Sequence, residues 1–239
     1  MDTTSGRAEV PAIGNRQMLV DHVFEAILSL LLDDGLPTGS ALNIDGLAKQ
    51  FNVSSTPVRE ALARLEATGM IRREALRGYK VAPAPTASDI GALLVTRQVL
   101  EPAIARIACE NVSPDLVADL EQFNTELDTS QLGGDTFAGY RAYWKADEMF
   151  HRRIAECTGN EFLLRAYNSV EGHIQRFRLL VHNDMSGEHT VREHQAIIAA
   201  FQANDAERAR TAMSEHIDGI KSRSSNLAIF SDTEDAGRN

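Results

Sequence analysis

The chain has 239 residues, 43% of them hydrophobic, and a formal net charge of −10. That length suits one large or two small domains, and the composition can supply a core. It excludes a membrane helix, because no apolar run approaches the roughly 20 residues a span requires. The polar stretch Met1–Arg16 lacks the apolar centre of a signal peptide. Cys109 and Cys157 stand in unrelated contexts and are expected to be reduced core residues. A cytoplasmic protein is the resulting expectation.

Residues 1–15 read as disordered, being small and polar without a period. A helical stripe follows in Val20, Val23, Phe24, Ile27, Leu28 and Leu31, and Gly35 and Pro37 stop it. A short helix is expected from about Asp45 to Phe51, with Asn43 as its cap. After the turn Asn52-Val53-Ser54-Ser55, Thr56 caps a second helix with Pro57 at its first position. That helix ends at Thr68-Gly69. Met70–Arg73 and Tyr79–Ala82 read as two short strands around Leu76-Arg77-Gly78. The charge is uneven along the chain. Between Lys49 and Lys80 there are seven basic and three acidic residues, a net +4, whereas Thr86–Asn239 carries 15 basic and 24 acidic, a net −9. A small basic module on an acidic body suggests one part that meets phosphates and another with a different task.

Helix, short helix, turn, helix and a two-stranded wing make a DNA-binding arrangement. Residues opening the second helix of the pair, Ser54, Ser55, Thr56 and Arg59, would reach base edges and phosphates. Arg59 is the best base reader, since a guanidinium can grip guanine at two points. Arg64 adds positive charge further along the same helix. Gly78 lets the wing approach the backbone closely, and Arg77 and Lys80 flank it with cations. The run Val53-Ser54-Ser55-Thr56-Pro57-Val58-Arg59-Glu60-Ala61-Leu62-Ala63-Arg64-Leu65-Glu66-Ala67-Thr68-Gly69-Met70-Ile71, with Arg77-Gly78-Tyr79-Lys80-Val81, resembles the N-terminal domain of GntR-family bacterial transcription regulators. The resemblance covers roughly residues 16–82. The family commonly carries arginine where this chain has Ser55, and often a basic or longer polar residue near Asp45, so either a weaker DNA contact or a different operator is implied.

Pro83-Ala84-Pro85 is a stiff linker, assigned to 83–88. Beyond it helices are expected near 87–112, 114–130, 136–157, 161–183, 190–203 and 205–224. They would form an all-α antiparallel bundle over 89–228, ahead of a flexible tail, 229–239. On the third of these helices Phe137, Tyr140, Trp144, Asp147, His151 and Ile154 follow the helical period. Asp147 and His151, at i and i+4, share one face with Cβ atoms roughly 5–6 Å apart. A carboxylate and an imidazole in an apolar stripe are costly unless paired or bound to metal. His194 lies with Val191, Ile198 and Phe201, and His216 with Ala209, Met213 and Ile220, so both repeat the anomaly. Such ligands converging inside a bundle suggest a divalent metal. The donor set suits zinc, nickel, manganese or iron, and the Irving–Williams order favours zinc over manganese.

This half resembles the all-helical FCD effector domain of the FadR-type branch of the same family. The matching stretches are Val95-Thr96-Arg97-Gln98-Val99-Leu100-Glu101-Pro102, Asp147-Glu148-Met149-Phe150-His151 with Thr158-Gly159-Asn160, Glu193-His194-Gln195-Ala196-Ile197, and Met213-Ser214-Glu215-His216-Ile217. The resemblance implies that Asp147, His151, His194 and His216 bind a divalent metal. It also places Arg97 at the ligand cavity, where a guanidinium suits a carboxylate; the alternative is an exposed i,i+4 salt bridge to Glu101. His173 shares a stripe with Val170, Ile174 and Phe177 and is either an effector contact or plain packing. The expected function is a homodimeric regulator of a near-palindromic operator, a repressor released by a small organic acid beside the metal. The alternatives are a regulator with a purely structural metal and, more remotely, a metal-dependent hydrolase. Glu148 points about 100° away from Asp147 around the helix, and no nucleophile–base pair is recognisable, which argues against catalysis.

Overall fold

The computed structural model describes residues 13–33, 35–75, 77–130, 137–181 and 187–224. The disordered N-terminus expected for 1–15 lies outside these as far as residue 12, and residues 13–15 instead begin the first helix. The expected tail, 229–239, also lies outside the described residues. The chain divides into two compact units, Met1–Ala82 and Pro83–Asn239.

The first unit contains α1 (Ile13–Leu32), β1 (Ala41–Leu42), α2 (Ile44–Phe51), α3 (Ser55–Ala67), β2 (Ile71–Glu74) and β3 (Gly78–Val81). The apolar stripe of α1 is buried from Val20 to Leu31, as are Val58, Ala61, Leu62 and Leu65 of α3, and the two helices pack together. Asn43 caps α2 by accepting a hydrogen bond from the Gly46 backbone N–H at 2.8 Å. Asn52 turns the chain out of α2 in the left-handed region, φ 54°. Two expectations change here. Ser54, not Thr56, occupies the N-cap of α3, so Pro57 falls inside the first turn. Proline is tolerated there because first-turn N–H groups have no partner within the helix. The sheet has three antiparallel strands in the order β1-β3-β2, not two. The added strand is only Ala41–Leu42, too short to show a period.

The second unit is helical throughout its described length: α4 (Ala87–Glu110), α5 (Pro114–Thr129), α6 (Phe137–Glu156), α7 (Glu161–Val181), α8 (Gly187–Gln202) and α9 (Ala206–Ser224). Thr86 and Asp89 form a reciprocal capping box that starts α4 inside the stretch expected as linker. Ser113 caps α5 with Pro114 at its first position. Helix α8 starts at Gly187, three residues before the expected 190, and Glu188 sits in its first turn, where the helix dipole favours an acid. The core joins Ile104, Ala105 and Cys109 of α4, Leu116 and Leu120 of α5, Phe150 and Ile154 of α6, and Ile197, Phe201, Met213 and Ile217 of α8 and α9. No helix among the described residues is long and apolar enough to cross a membrane.

Leu120 is fully buried in this core. Leu120→Ala should destabilise the second unit by about 2–5 kcal/mol. Urea unfolding followed by the fluorescence of Trp144, the one tryptophan of the chain, will read it; an unchanged midpoint would contradict the packing described.

Candidate metal and effector site

Three helices bring the sequence-predicted ligands together. Asp147 and His151 come from α6, His194 from α8 and His216 from α9, and all four are buried. One nitrogen from each of the three imidazoles lies within 4.8 Å of those of the other two. Asp147 Oδ1 is 3.5 Å from His194 Nε2 and 3.8 Å from His151 Nε2. These contacts are too long for good hydrogen bonds. Asp147 Oδ1 and the Nε2 atoms of all three histidines are buried without a hydrogen-bond partner. Three clustered imidazole nitrogens with an orphaned carboxylate oxygen beside two of them are costly as they stand and fit a divalent cation. His194 is further fixed by the Phe150 ring, stacked on it at 3.8 Å between centroids and 4° between planes.

Behind His151 and His216 stand carboxylate–arginine pairs, whereas His194 Nδ1 is buried without a partner. Glu101 Oε2 lies 2.9 Å from His151 Nδ1. Arg97 donates to both oxygens of Glu101, from Nε at 2.5 Å and Nη2 at 3.2 Å. Glu193 Oε2 is 2.9 Å from His216 Nδ1, and Arg223 grips both Glu193 oxygens. Asp147 Oδ2 itself pairs with Arg178 Nε. A carboxylate on the far nitrogen of a ligating histidine fixes the ring's tautomer and leaves Nε2 free for metal.

The electrostatics agree. Burial lowers the His151 pKa to about 4 against the opposing pull of Glu101. Burial, then His216 and His151, push that of His194 well below its usual value. Both rings are therefore neutral near pH 7, the form that binds metal. Burial alone would raise the Glu101 carboxyl, but Arg97 and then His151 outweigh it and hold it well below the carboxylate range. The same opposition, with His216 and Arg223 prevailing, brings Glu193 down to about 2.

Gly219 makes room for one of these pairs. A Cβ at that position would stand 2.4 Å from Glu193 Oε1 and 3.0 Å from Arg223 Nη1. The glycine thus lets the carboxylate lie against α9 beside His216.

A narrow cavity of about 30 Å³ adjoins the ligands, lined by Arg97, Tyr140, Tyr143, Asp147, Arg178 and His216 among others. Arg97 is therefore both a cavity residue and the partner of Glu101. The pair is buried, 1% and 2% exposed, rather than the solvated pair that i,i+4 spacing alone suggests. His173 is a correction: it sits on an exposed face of α7 and does not line this cavity, because it lies at the edge of the stripe whose Ile174 and Phe177 turn inward. Glu101, Glu193 and Arg178 were not singled out as site residues. The available signal was charge in an apolar setting, as in Phe177-Arg178-Leu179, all three buried.

On the first unit, Ser54, Thr56 and Arg59 are exposed at the start of α3, with Ser55 half-buried, and the Ser54 hydroxyl makes no capping bond. Arg77 and Gly78 are exposed at the β2–β3 turn. Two other expected DNA contacts are engaged elsewhere. Arg64 reaches Asp21 of α1 at 2.5 Å and covers the Phe24 ring at 4.5 Å. Lys80 pairs with Glu74 at 2.8 Å.

Residues 19–81 match the family described as "Bacterial regulatory proteins, gntR family", and residues 92–219 match the FCD domain. A protein of Paenarthrobacter nicotinovorans named a probable D-xylose utilization operon transcriptional repressor is 26% identical over 217 residues, 91% of each chain. The Uxu operon regulator of Haemophilus influenzae is 29% identical over 92% of this chain and 82% of its own. The solved structure of E. coli McbR/YncC superposes with a TM-score of 0.66 at 22% identity, covering 85% of this chain and 95% of that one, a likeness of fold. The first two of these relatives are named as a transcriptional repressor and an operon regulator. With the FCD match alone spanning more than half its length, this chain belongs to the GntR family of DNA-binding transcription regulators and carries an FCD domain.

Proposed function

We propose that this regulator is a repressor whose second unit binds a divalent metal, zinc by the order of affinities for nitrogen-rich sites, through Asp147, His151, His194 and His216. The observation that carries this reading is the convergence of three buried imidazoles, with the unpartnered Asp147 Oδ1 beside two of them. The ion would supply a positive centre that takes an acid oxygen by expanding from four to five ligands. Arg97 would hold the carboxylate of a small organic acid in the adjoining cavity. The purely structural reading of the metal is less favoured, because a metal that only braced the bundle would not need an arginine-lined cavity beside it.

The first unit would dock α3 in the major groove of operator DNA, with Ser54, Ser55, Thr56 and Arg59 at the bases and phosphates and with Arg77 and Gly78 at the wing. Arg64 and Lys80 would contribute mainly through field, given their partners on α1 and β2. A homodimer would present two such units to a near-palindromic operator in the cytoplasm. Val95 and Val99, one turn apart on α4 and 59% and 73% exposed, suit a subunit contact. Acid binding would act through its differential affinity for the DNA-competent and incompetent arrangements.

Gel-shift titration against the upstream region of its own operon tests the reading. Binding should weaken steeply with salt, and a cognate acid should release the zinc-loaded protein; salt-insensitive binding or none would refute it. Arg59→Ala should cost about 1–3 kcal/mol of specific binding.

His194→Ala should lower bound metal while far-UV circular dichroism keeps its helical signal. Metal stoichiometry equal to wild type would remove His194 from the ligand set.

Gly219→Ala should displace Glu193 from His216 and weaken zinc affinity about 10- to 100-fold, as loss of a ligand's supporting carboxylate typically does. Competition with a chromogenic chelator will measure it, and Glu193→Gln should fall in the same range if the displacement is the cause.

A further inference from the structure

The geometry points to a dianionic effector: a short diacid with one carboxylate at the metal position and the other held by the Arg178 guanidinium. This rests on the metal-and-acid reading above and names the class of acid.

Two observations carry it. The first is unspent hydrogen-bonding capacity. Arg178 is 7% exposed and uses Nε on Asp147 Oδ2, while its Nη1 and Nη2 are buried without partners. Arg97 is 1% exposed and spends Nε and Nη2 on Glu101, and its Nη1 is likewise unpartnered. Both arginines line the same cavity. A buried guanidinium left short of acceptors is costly, and a planar fork of N–H groups matches a carboxylate. Tyr143 and Thr190, which line the same space and interact with each other, add hydroxyls.

The second observation is charge balance. Among the described residues the acids around the cluster already have cationic partners: Glu101 with Arg97, Asp147 with Arg178 and Glu193 with Arg223. Imidazoles that ligate a metal do so neutral. A divalent cation therefore adds two positive charges that no neighbouring side chain offsets, in a place where unbalanced charge is expensive. A monoanion removes half of that excess, and a dianion removes all of it. Asp147 need not let go of Arg178 for this to happen. Its Oδ2 takes the Arg178 Nε, and its Oδ1 is the atom facing His151 and His194. The fork at Nη1 and Nη2 is then left for the ligand.

The test compares matched pairs on zinc-loaded, full-length protein by isothermal titration: succinate with succinamate, malate with malamate, 2-oxoglutarate with its C5 amide, and glucuronate as a polyhydroxylated monoanion. At least one diacid should bind about tenfold or more tightly than its amide, the scale of a lost charge-assisted contact. Arg178→Gln, compared with wild type at saturating zinc so that both are fully loaded despite the lost Asp147 partner, should remove that gap. Equal affinity within every pair, tighter binding of glucuronate than of every diacid, or a gap that survives in Arg178→Gln overturns the inference and leaves an acid-responsive regulator standing. Binding of none of these acids, of either charge, removes the acid-responsive reading as well. Should Arg178→Gln fail to fold or to hold zinc, the wild-type pairs decide alone: a gap supports the diacid and its absence overturns it.

Discussion

Asp147 has to be shared between the Arg178 guanidinium and the histidine cluster, and the arrangement of the second unit follows from that. Its carboxylate is 4% exposed, so it cannot rely on water. One oxygen goes to Arg178 on α7, and the other faces the imidazoles of α6 and α8. A buried charge is tolerable only when its partners are placed as carefully as it is. The same demand passes outward. His151 has Glu101 beside it, and Glu101 needs Arg97; His216 has Glu193, and Glu193 needs Arg223. Five helices, α4 and α6 to α9, contribute to this chain of compensation. The polar centre therefore depends on their relative placement, and in turn disfavours any packing that separates the pairs.

Much of this was legible because helical periodicity converts sequence spacing into direction. A carboxylate and an imidazole four residues apart on a stripe with Phe137, Trp144 and Ile154 can only point inward. His194 and His216 yield to the same argument on their own helices. The supporting groups do not. Arg97 and Glu101, at i and i+4, look the same in sequence whether they are solvated or buried; what buries them is the packing of α9 and α6 on α4, a long-range fact. Arg178 stands between Phe177 and Leu179, and a mixed pattern of that kind does not reveal which groove the side chain enters. His173 misled for the opposite reason. Its stripe with Val170, Ile174 and Phe177 is real, but it lies at the stripe's edge, where a 3.6-residue period carries the side chain outward. Gly219 gave no sequence signal, since its use is only to admit Glu193 beside His216.

The DNA-binding unit shows why counting charge along a segment overstates what meets DNA. The net +4 between Lys49 and Lys80 includes Arg64, Arg72 and Lys80, each paired with an acid of its own unit. An arginine already holding a carboxylate releases little when it approaches a phosphate, because the ion it would displace is part of the protein. The exposed cations at the helix start and wing tip, Arg59 and Arg77, are few. A unit with so few contacts binds weakly by itself, and the salt dependence of a dimer is the sum over both units. Two units held at a fixed spacing bind as one ligand with a much higher effective concentration, and most of that gain disappears when the spacing is wrong. Weak single units therefore suit regulation: in the proposed dimer, a small change in how the second units meet is enough to move the pair between bound and free. The charge that binding an acid neutralises in the second unit would then be read as a change in geometry rather than in the first unit's own affinity.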